Sequence, residues 1–501
     1  MSDGSALRQA VSGFPAAAWL CALVAVLGAS AWSLITPLFQ TPDETAHVAY
    51  AQYVAEHGRP PTGLHGVPAA SQEERRLLKA LAFKQVEFRP DNRPLTTAAD
   101  RRRIERVADA DSERAGEGGY NYATNNPPLY YALAAVAYGI SPSQNLTDRI
   151  HLMRLLSALL AGITVLFVFG FLRELLPSSP GAWTIGALVV ALMPSFTNIA
   201  GGVNNDNLLF TAAAGCFFLL AAAFRRGLDV PLGLALGGLV AIGFLTKINL
   251  AGLVPGIALG LALIVWRTPP ERRRAAVRGV VAAALAAALP ALVFMALNSG
   301  PWDRGLLRGT PETAGAAPGS PGVPDASAGR EVGDAVSYVW EFYLPRLPFM
   351  DEQLSGYPLA DVWFEGWIGR FGLGEFGFPG WAYLLGLAAV LGILALAGRE
   401  LWRRREALQA RWGELLAYAV AALGLLAVIH WAGYTSRLDN AGGFEQVRYL
   451  FPLLAPYAAL IALAVRGAGR RWGGAAGVLI VSLAAAQSLA AILLALDRYY
   501  A

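Results

Sequence analysis

Apolar runs of about 20 residues recur along this chain, and each is long enough for a helix to cross a bilayer. Ala16–Ile35, 152–172, 275–297 and 450–465 are examples. Lipid offers no partner to an unpaired amide, so such runs must be helices that satisfy their own backbone. Hydrophobic residues make up 55% of the 501 positions and charged residues only 15%, against roughly 25% charged in soluble domains. That excludes a soluble reading. The expected class is an all-α integral membrane protein with about eleven transmembrane helices. The first run is too long for a signal peptide and lacks a small-x-small cleavage site, which makes it a retained span.

The charges that remain are segregated. Arg225 and Arg226, then Arg267 with Arg272, Arg273, Arg274 and Arg278, then Arg399 with Arg403, Arg404, Arg405 and Arg411, and finally Arg466, Arg470 and Arg471 form four basic short loops. The positive-inside rule puts all four in the cytoplasm. If the short apolar segment 129–140 crossed, every one of these loops would move outside; they are all inside if it lies in the interface instead. Tyr130, Tyr131 and Tyr138 would then sit at headgroup level. This reading predicts a multi-pass protein of the cytoplasmic membrane, N-terminus inside and C-terminus outside. The arginines need no nucleic acid to explain them, and none is expected as a partner. The two cysteines, Cys21 and Cys216, both fall in apolar runs and read as packing residues.

The expected organisation is an N-terminal segment with the first span (1–36), an external loop with juxtamembrane helices (37–150), a helix bundle (151–297), a second external loop (298–379) and C-terminal spans (380–501). Surface helices are expected over 71–84 and 97–114. In the second loop, residues 309–329 are rich in Gly, Pro and Ala and read as a flexible stretch. The aromatic run 357–381 suits a membrane interface.

Polar residues capable of chemistry collect on the external side. After the first span comes Thr41-Pro42-Asp43-Glu44-Thr45-Ala46-His47. Thr41 as N-cap, Pro42 in the first turn and Glu44 would make a capping box, leaving Asp43 free to face a cavity, with His47 one turn on along the same face. A second knot is Asn125-Asn126-Pro127-Pro128-Leu129-Tyr130-Tyr131, a helix entry in the plain reading. A third, Asn204-Asn205-Asp206-Asn207, offers Asp206 as an N-cap or as a second carboxylate over the same cavity. The fourth is Arg448-Tyr449-Leu450-Phe451-Pro452. An Arg at the outer end of a span opposes the orientation bias, so it either snorkels to headgroups or has a local partner. Arg154 and Lys247 stand in similar places.

In this order the four knots resemble the GT-C glycosyltransferases, which have an acidic residue opening a large external loop, a Pro-Pro-Leu-Tyr juxtamembrane element and a span opening with Arg-Leu-x-Ser-Ala. The matching residues here are Asp43 and Glu44, Pro127 to Tyr130, and Arg154 to Ala158. Pro42-Asp43-Glu44 with His47, and the late Arg448-Tyr449-Leu450-Phe451-Pro452, are similar to a bacterial branch of predicted GT-C membrane proteins. Asn125-Asn126 departs from the charged or His residue that several branches carry before the two prolines.

The resemblance implies a GT-C-like bundle with an active site facing outside. It implies sugar transfer from a polyprenyl-phosphate donor to an envelope glycan, lipid or protein. Asp43 and Glu44 would be the catalytic carboxylates, His47, Arg154, Arg448 and Tyr449 would bind the donor, and Asn126, Tyr130, Asp206 and Lys247 would line the cavity. An Arg can pair with a phosphate at headgroup depth, and a carboxylate can take the acceptor's proton in an inverting displacement. Alternatively Asp43, Glu44 or Asp206 could hold a divalent metal, Mg or Mn. A transporter or flippase, and a non-catalytic envelope-assembly subunit, are the competing readings. The first would place its ionisable groups near the bilayer midplane.

Overall fold

The computed structural model describes residues 6–61, 70–87, 89, 91–92, 97–108, 121–302, 328–350, 352–354, 358–438 and 445–500. Among these the protein is a helix bundle whose one sheet is a two-residue antiparallel pair, Arg370–Phe371 with Phe376–Gly377. Among the described residues nine helices are long and apolar enough to cross a membrane. The pair Pro180–Ala191 and Pro194–Ala200, bent by 58° at its break, makes a tenth when it is counted as one span. Pro194 explains the bend, because it supplies no amide to the preceding turn. The expected count of about eleven also needs Val230–Phe244, an apolar helix of 15 residues.

Small residues set the helix contacts. Val230–Phe244 packs along Pro270–Ser299, and a Cβ at Gly233 or Gly237 would lie 2.0 Å from the Gly279 carbonyl oxygen or 2.1 Å from that of Ala283. Only a glycine-x-x-x-glycine stripe lets two backbones approach so closely. At the centre lies Asp206–Arg226, buried over 94% of its most apolar stretch against Leu146–Leu175. The outermost helices keep long apolar side chains exposed, Leu384 at 69% and Val478 at 69% among them. Those faces are where lipid belongs.

Several expectations change at the surface. Leu129–Gly139 is a short apolar helix as expected, but Tyr130, Tyr131 and Tyr138 are buried and Leu133, Val136 and Ile140 are exposed. The helix turns its tyrosines inward because each hydroxyl finds a hydrogen-bond partner there. The surface helix over 71–84 is two helices, Gln72–Ala80 and Phe83–Val86, broken at Ala82 with φ +52°. The first carries a capping box between Ser71 and Glu74. The next helix is Ala98–Ala108; 109–114 lie outside the described residues. So does the Gly/Pro-rich stretch through 327, while Ala328–Tyr343 is a helix. In the aromatic run, Trp363 and Phe371 are core residues and not interfacial ones. Trp363 packs on Phe342 and Tyr343, and Phe371 on Trp32.

Candidate active site

The chain leaves its first span in extended backbone at Thr36 and then doubles back through two left-handed residues, Phe39 at φ 66° and Asp43 at φ 64°. Such a conformation costs a residue with a Cβ about 1–2 kcal/mol. Something must hold it, and the holder is Glu44. Its carboxylate accepts the Phe39 amide at 2.8 Å and the Val203 amide at 3.0 Å. It also accepts Arg154 Nε at 2.7 Å and Nη2 at 2.5 Å. Arg154 in turn donates to the carbonyls of Ser33, Thr36 and Pro37. Both side chains of this ion pair are fully buried.

The expected capping box is therefore absent. The helix is Glu44–His57, its N-cap is Asp43 with no side-chain cap bond, and the buried Thr41 hydroxyl has no hydrogen-bond partner among the described residues. Arg154 lies inside the protein, closed around Glu44, so the two form a staple between the first span, its return loop and Leu146–Leu175.

The left-handed turn aims Asp43 toward the late motif. Arg448 Nη2 bonds to Asp43 Oδ2, and its Nε lies 3.3 Å from Asp206 Oδ2. Asp206 Oδ1 accepts Lys247 Nζ at 2.6 Å, and Lys247 and Arg448 stand over the Tyr449 ring at 4.8 and 5.5 Å from its centroid. Asp206 is the first residue of Asp206–Arg226, where the helix dipole favours a negative charge. The Asp206 amide, with no turn before it, donates to Asn204 Oδ1. Four chain segments thus contribute an alternating Asp43, Arg448, Asp206, Lys247 array. Arg448 is 3% exposed and Asp43 29%, so this is a desolvated charge facing a partly wet one, not a snorkelling arginine.

Burial alone would raise the Asp43 carboxyl, but the Arg448 charge, with His47 and the Tyr122 hydroxyl, holds it well below the usual carboxylate range. Tyr122 donates to Asp43 Oδ1 at 2.9 Å. Burial pushes the His47 imidazole down to about 4, and the Asp43 charge only partly opposes this. His47 Nδ1 meets the Tyr131 hydroxyl at 2.8 Å, and Tyr131 stacks on Tyr50. Tyr130 bonds to Ser157 Oγ and accepts the Asn204 amide, both at 2.9 Å, so it braces the loop that carries Asp206. Asn126 bonds locally to the Ala123 carbonyl.

A divalent metal does not fit these residues. Among the described residues no group of three His, Cys, Asp or Glu side chains converges, and Asp43, Glu44 and Asp206 are each already paired with a cation.

Asp43 and Arg448 line a polar cavity of about 390 Å³ together with Ser195, Asn198, Asp361 and Arg370. Gly366 also lines it, and the next residues, Trp367 and Ile368, line an apolar cavity of about 300 Å³ with Trp363, Phe364 and Tyr457. The short helix Glu365–Gly369 is the partition between the two. Asp361 was masked in the sequence by its aromatic neighbours, and no local motif marks it.

The profile of a family described as predicted membrane protein DUF2142 matches residues 26–457. The chain belongs to the DUF2142 family. That match encloses every candidate residue, from Asp43 to Tyr449. No curated protein matches the sequence. Among solved structures, this DUF2142 protein is similar to the Archaeoglobus fulgidus oligosaccharyltransferase AglB in complex with an inhibitory peptide and a dolichol-phosphate, with 14% identity and TM-score 0.46, over 97% of this chain and 56% of that one. It is also similar to the same organism's oligosaccharyltransferase in complex with Zn and sulfate, with 12% identity and TM-score 0.46, over 93% and 53%. The chain spans about half the length of these structures.

Proposed function

We propose that this DUF2142 protein is a membrane glycosyltransferase that takes its sugar from a polyprenyl-phosphate donor and transfers it to an acceptor on the external face. The observation that carries the reading is Arg448. Its side chain is buried at the wall of a polar cavity, and its Nη1 has no hydrogen-bond partner among the described residues. A buried cationic donor left unsatisfied is costly, and a phosphate oxygen is the partner that best satisfies a guanidinium. The adjoining apolar cavity suits the first isoprene units of the same molecule, so one amphipathic donor accounts for both spaces. Asp43, expected as the base, is engaged by Arg448 and Tyr122. That favours for Asp43 the role of fixing the guanidinium in place, with Asp206 and Lys247 completing the array. The external assignment rests on the four basic loops.

The test uses purified protein in nanodiscs and a long-chain polyprenyl monophosphate, with the matching polyprenol as control. The phosphate should bind and the alcohol should bind at least tenfold more weakly. Arg448→Lys, which keeps the charge but loses the planar fork, should remove most of that difference, while Arg437→Lys should leave it intact. Equal affinity for phosphate and alcohol would refute the reading.

A further inference from the structure

A displacement on a sugar needs a group to receive the acceptor's proton, and the polar cavity offers three carboxylates, Asp43, Asp361 and Glu445. Two are engaged. Asp43 is held by Arg448 and Tyr122, which keeps it ionised and makes it a weak proton acceptor. The Glu445 carboxylate is turned against Gly433, where a Cβ would lie 1.9 Å from Oε1. Asp361 has no hydrogen bond or ion pair to any described residue, and it is exposed on the cavity wall.

Its backbone is also unusual. Leu359–Phe364 is a π-helical turn, a wider coil than the α-helix and one that recurs at functional sites because it re-aims a side chain. Here Trp363, two residues on, is anchored in the core against Phe342. That anchor fixes the turn, and Asp361 is left on the cavity side, while Asp43 and Arg448 reach the same space from other segments.

We infer that Asp361 is the base of the transfer reaction and that Asp43 is a positioning residue for Arg448. The inference rests on the glycosyltransferase reading above. In the step, the acceptor hydroxyl gives its proton to the Asp361 carboxylate while its oxygen forms a bond to the anomeric carbon. The bond from that carbon to the phosphate oxygen breaks, and the electron pair leaves with the phosphate, whose charge Arg448 meets. The proton then passes from Asp361 to water.

The experiment compares wild type, Asp361→Ala, Asp361→Glu and Asp43→Asn in membranes supplied with a polyprenyl-phosphate sugar pool, and measures polyprenyl monophosphate binding on the same preparations. Asp361→Ala should bind the monophosphate as wild type does, lose transfer by ~10²-fold or more, and regain part of it with added formate. Asp361→Glu should retain more transfer than Asp361→Ala. Asp43→Asn should instead weaken monophosphate binding, and formate should not restore it. If wild type fails to bind the monophosphate, the glycosyltransferase reading fails and takes this inference with it. If wild type binds and transfers but Asp361→Ala transfers within a few-fold of it, or formate restores nothing, Asp361 is not the base and the wider reading stands.

Discussion

Replacing Glu44 by Gln tests what holds the helix after the first span. The change is nearly isosteric, so packing is kept. The two carboxylate oxygens divide their donors: Oε1 takes Arg154 Nε and the Val203 amide, and Oε2 takes Arg154 Nη2 and the Phe39 amide. Whichever way the new amide is turned, its NH₂ faces two donors. Arg154, fully buried, is left as an uncompensated charge, a loss worth about 3–5 kcal/mol when one partner of a buried pair is removed. The return loop, with its two left-handed residues, should loosen as well. Thr41→Val is the contrasting change, because it replaces a buried hydroxyl that has no partner with a methyl of similar size. It should be neutral or slightly stabilising. The assay is the thermal midpoint in detergent, read by fluorescence-detected size exclusion at matched expression. Glu44→Gln should lower the midpoint by several degrees and Thr41→Val should not. A Thr41→Val protein as damaged as Glu44→Gln would mean that the hydroxyl caps the helix, and the staple account would fall.

His47 has a folded pKa lowered from 6.5 to about 4, so the unfolded chain binds a proton that the folded one refuses. Stability from this group is complete above about pH 6.5 and is lost as pH falls toward 4, by up to ~3 kcal/mol; His47→Phe should flatten that part of the pH dependence of the thermal midpoint, and an unchanged slope would show that His47 titrates normally. A cysteine at Ala407 should resist impermeant thiol reagents in intact cells while one at Arg75 reacts, with the buried native Cys21 and Cys216 silent; labelling at 407 would invert the orientation. Gly237→Leu should destabilise the fold strongly, since its Cβ would meet the Ala283 carbonyl at 2.1 Å, and a midpoint near wild type would contradict the close crossing of the two helices.

The bundle was legible because lipid leaves an apolar run of that length one solution; the close crossing at Gly233 and Gly237 became visible only in the structure. The site was legible in its members: Asp43, Asp206, Lys247 and Arg448 were each marked by being polar at the edge of an apolar run, and the structure brings them together. Their partnerships were not. A Thr-Pro-Asp-Glu string is locally a capping box, and only Arg154, far along the chain, decides that Glu44 turns elsewhere. The tyrosines of Leu129–Gly139 have the composition of an interfacial belt, and their hydroxyls point inward because polar groups from distant segments wait there. Asp361 had no signal at all. A single carboxylate among aromatic residues looks like surface, and its place on the cavity wall depends on a helical turn wider than any periodicity in the sequence reveals.

The two ion pairs at this site also close at different times in the life of the chain. Glu44 can find Arg154, 110 residues on, as soon as the second long span has been made, whereas Asp43 must wait for Arg448, 405 residues on. At roughly 5–20 residues per second of synthesis, the second wait lasts on the order of 20–80 seconds, several times the first. A loop that closes on Arg154 at that stage would be bent before Arg448, the counter-charge of Asp43, has been made. The late span then adds Arg448 to a turn that Glu44 and Arg154 can already hold between them.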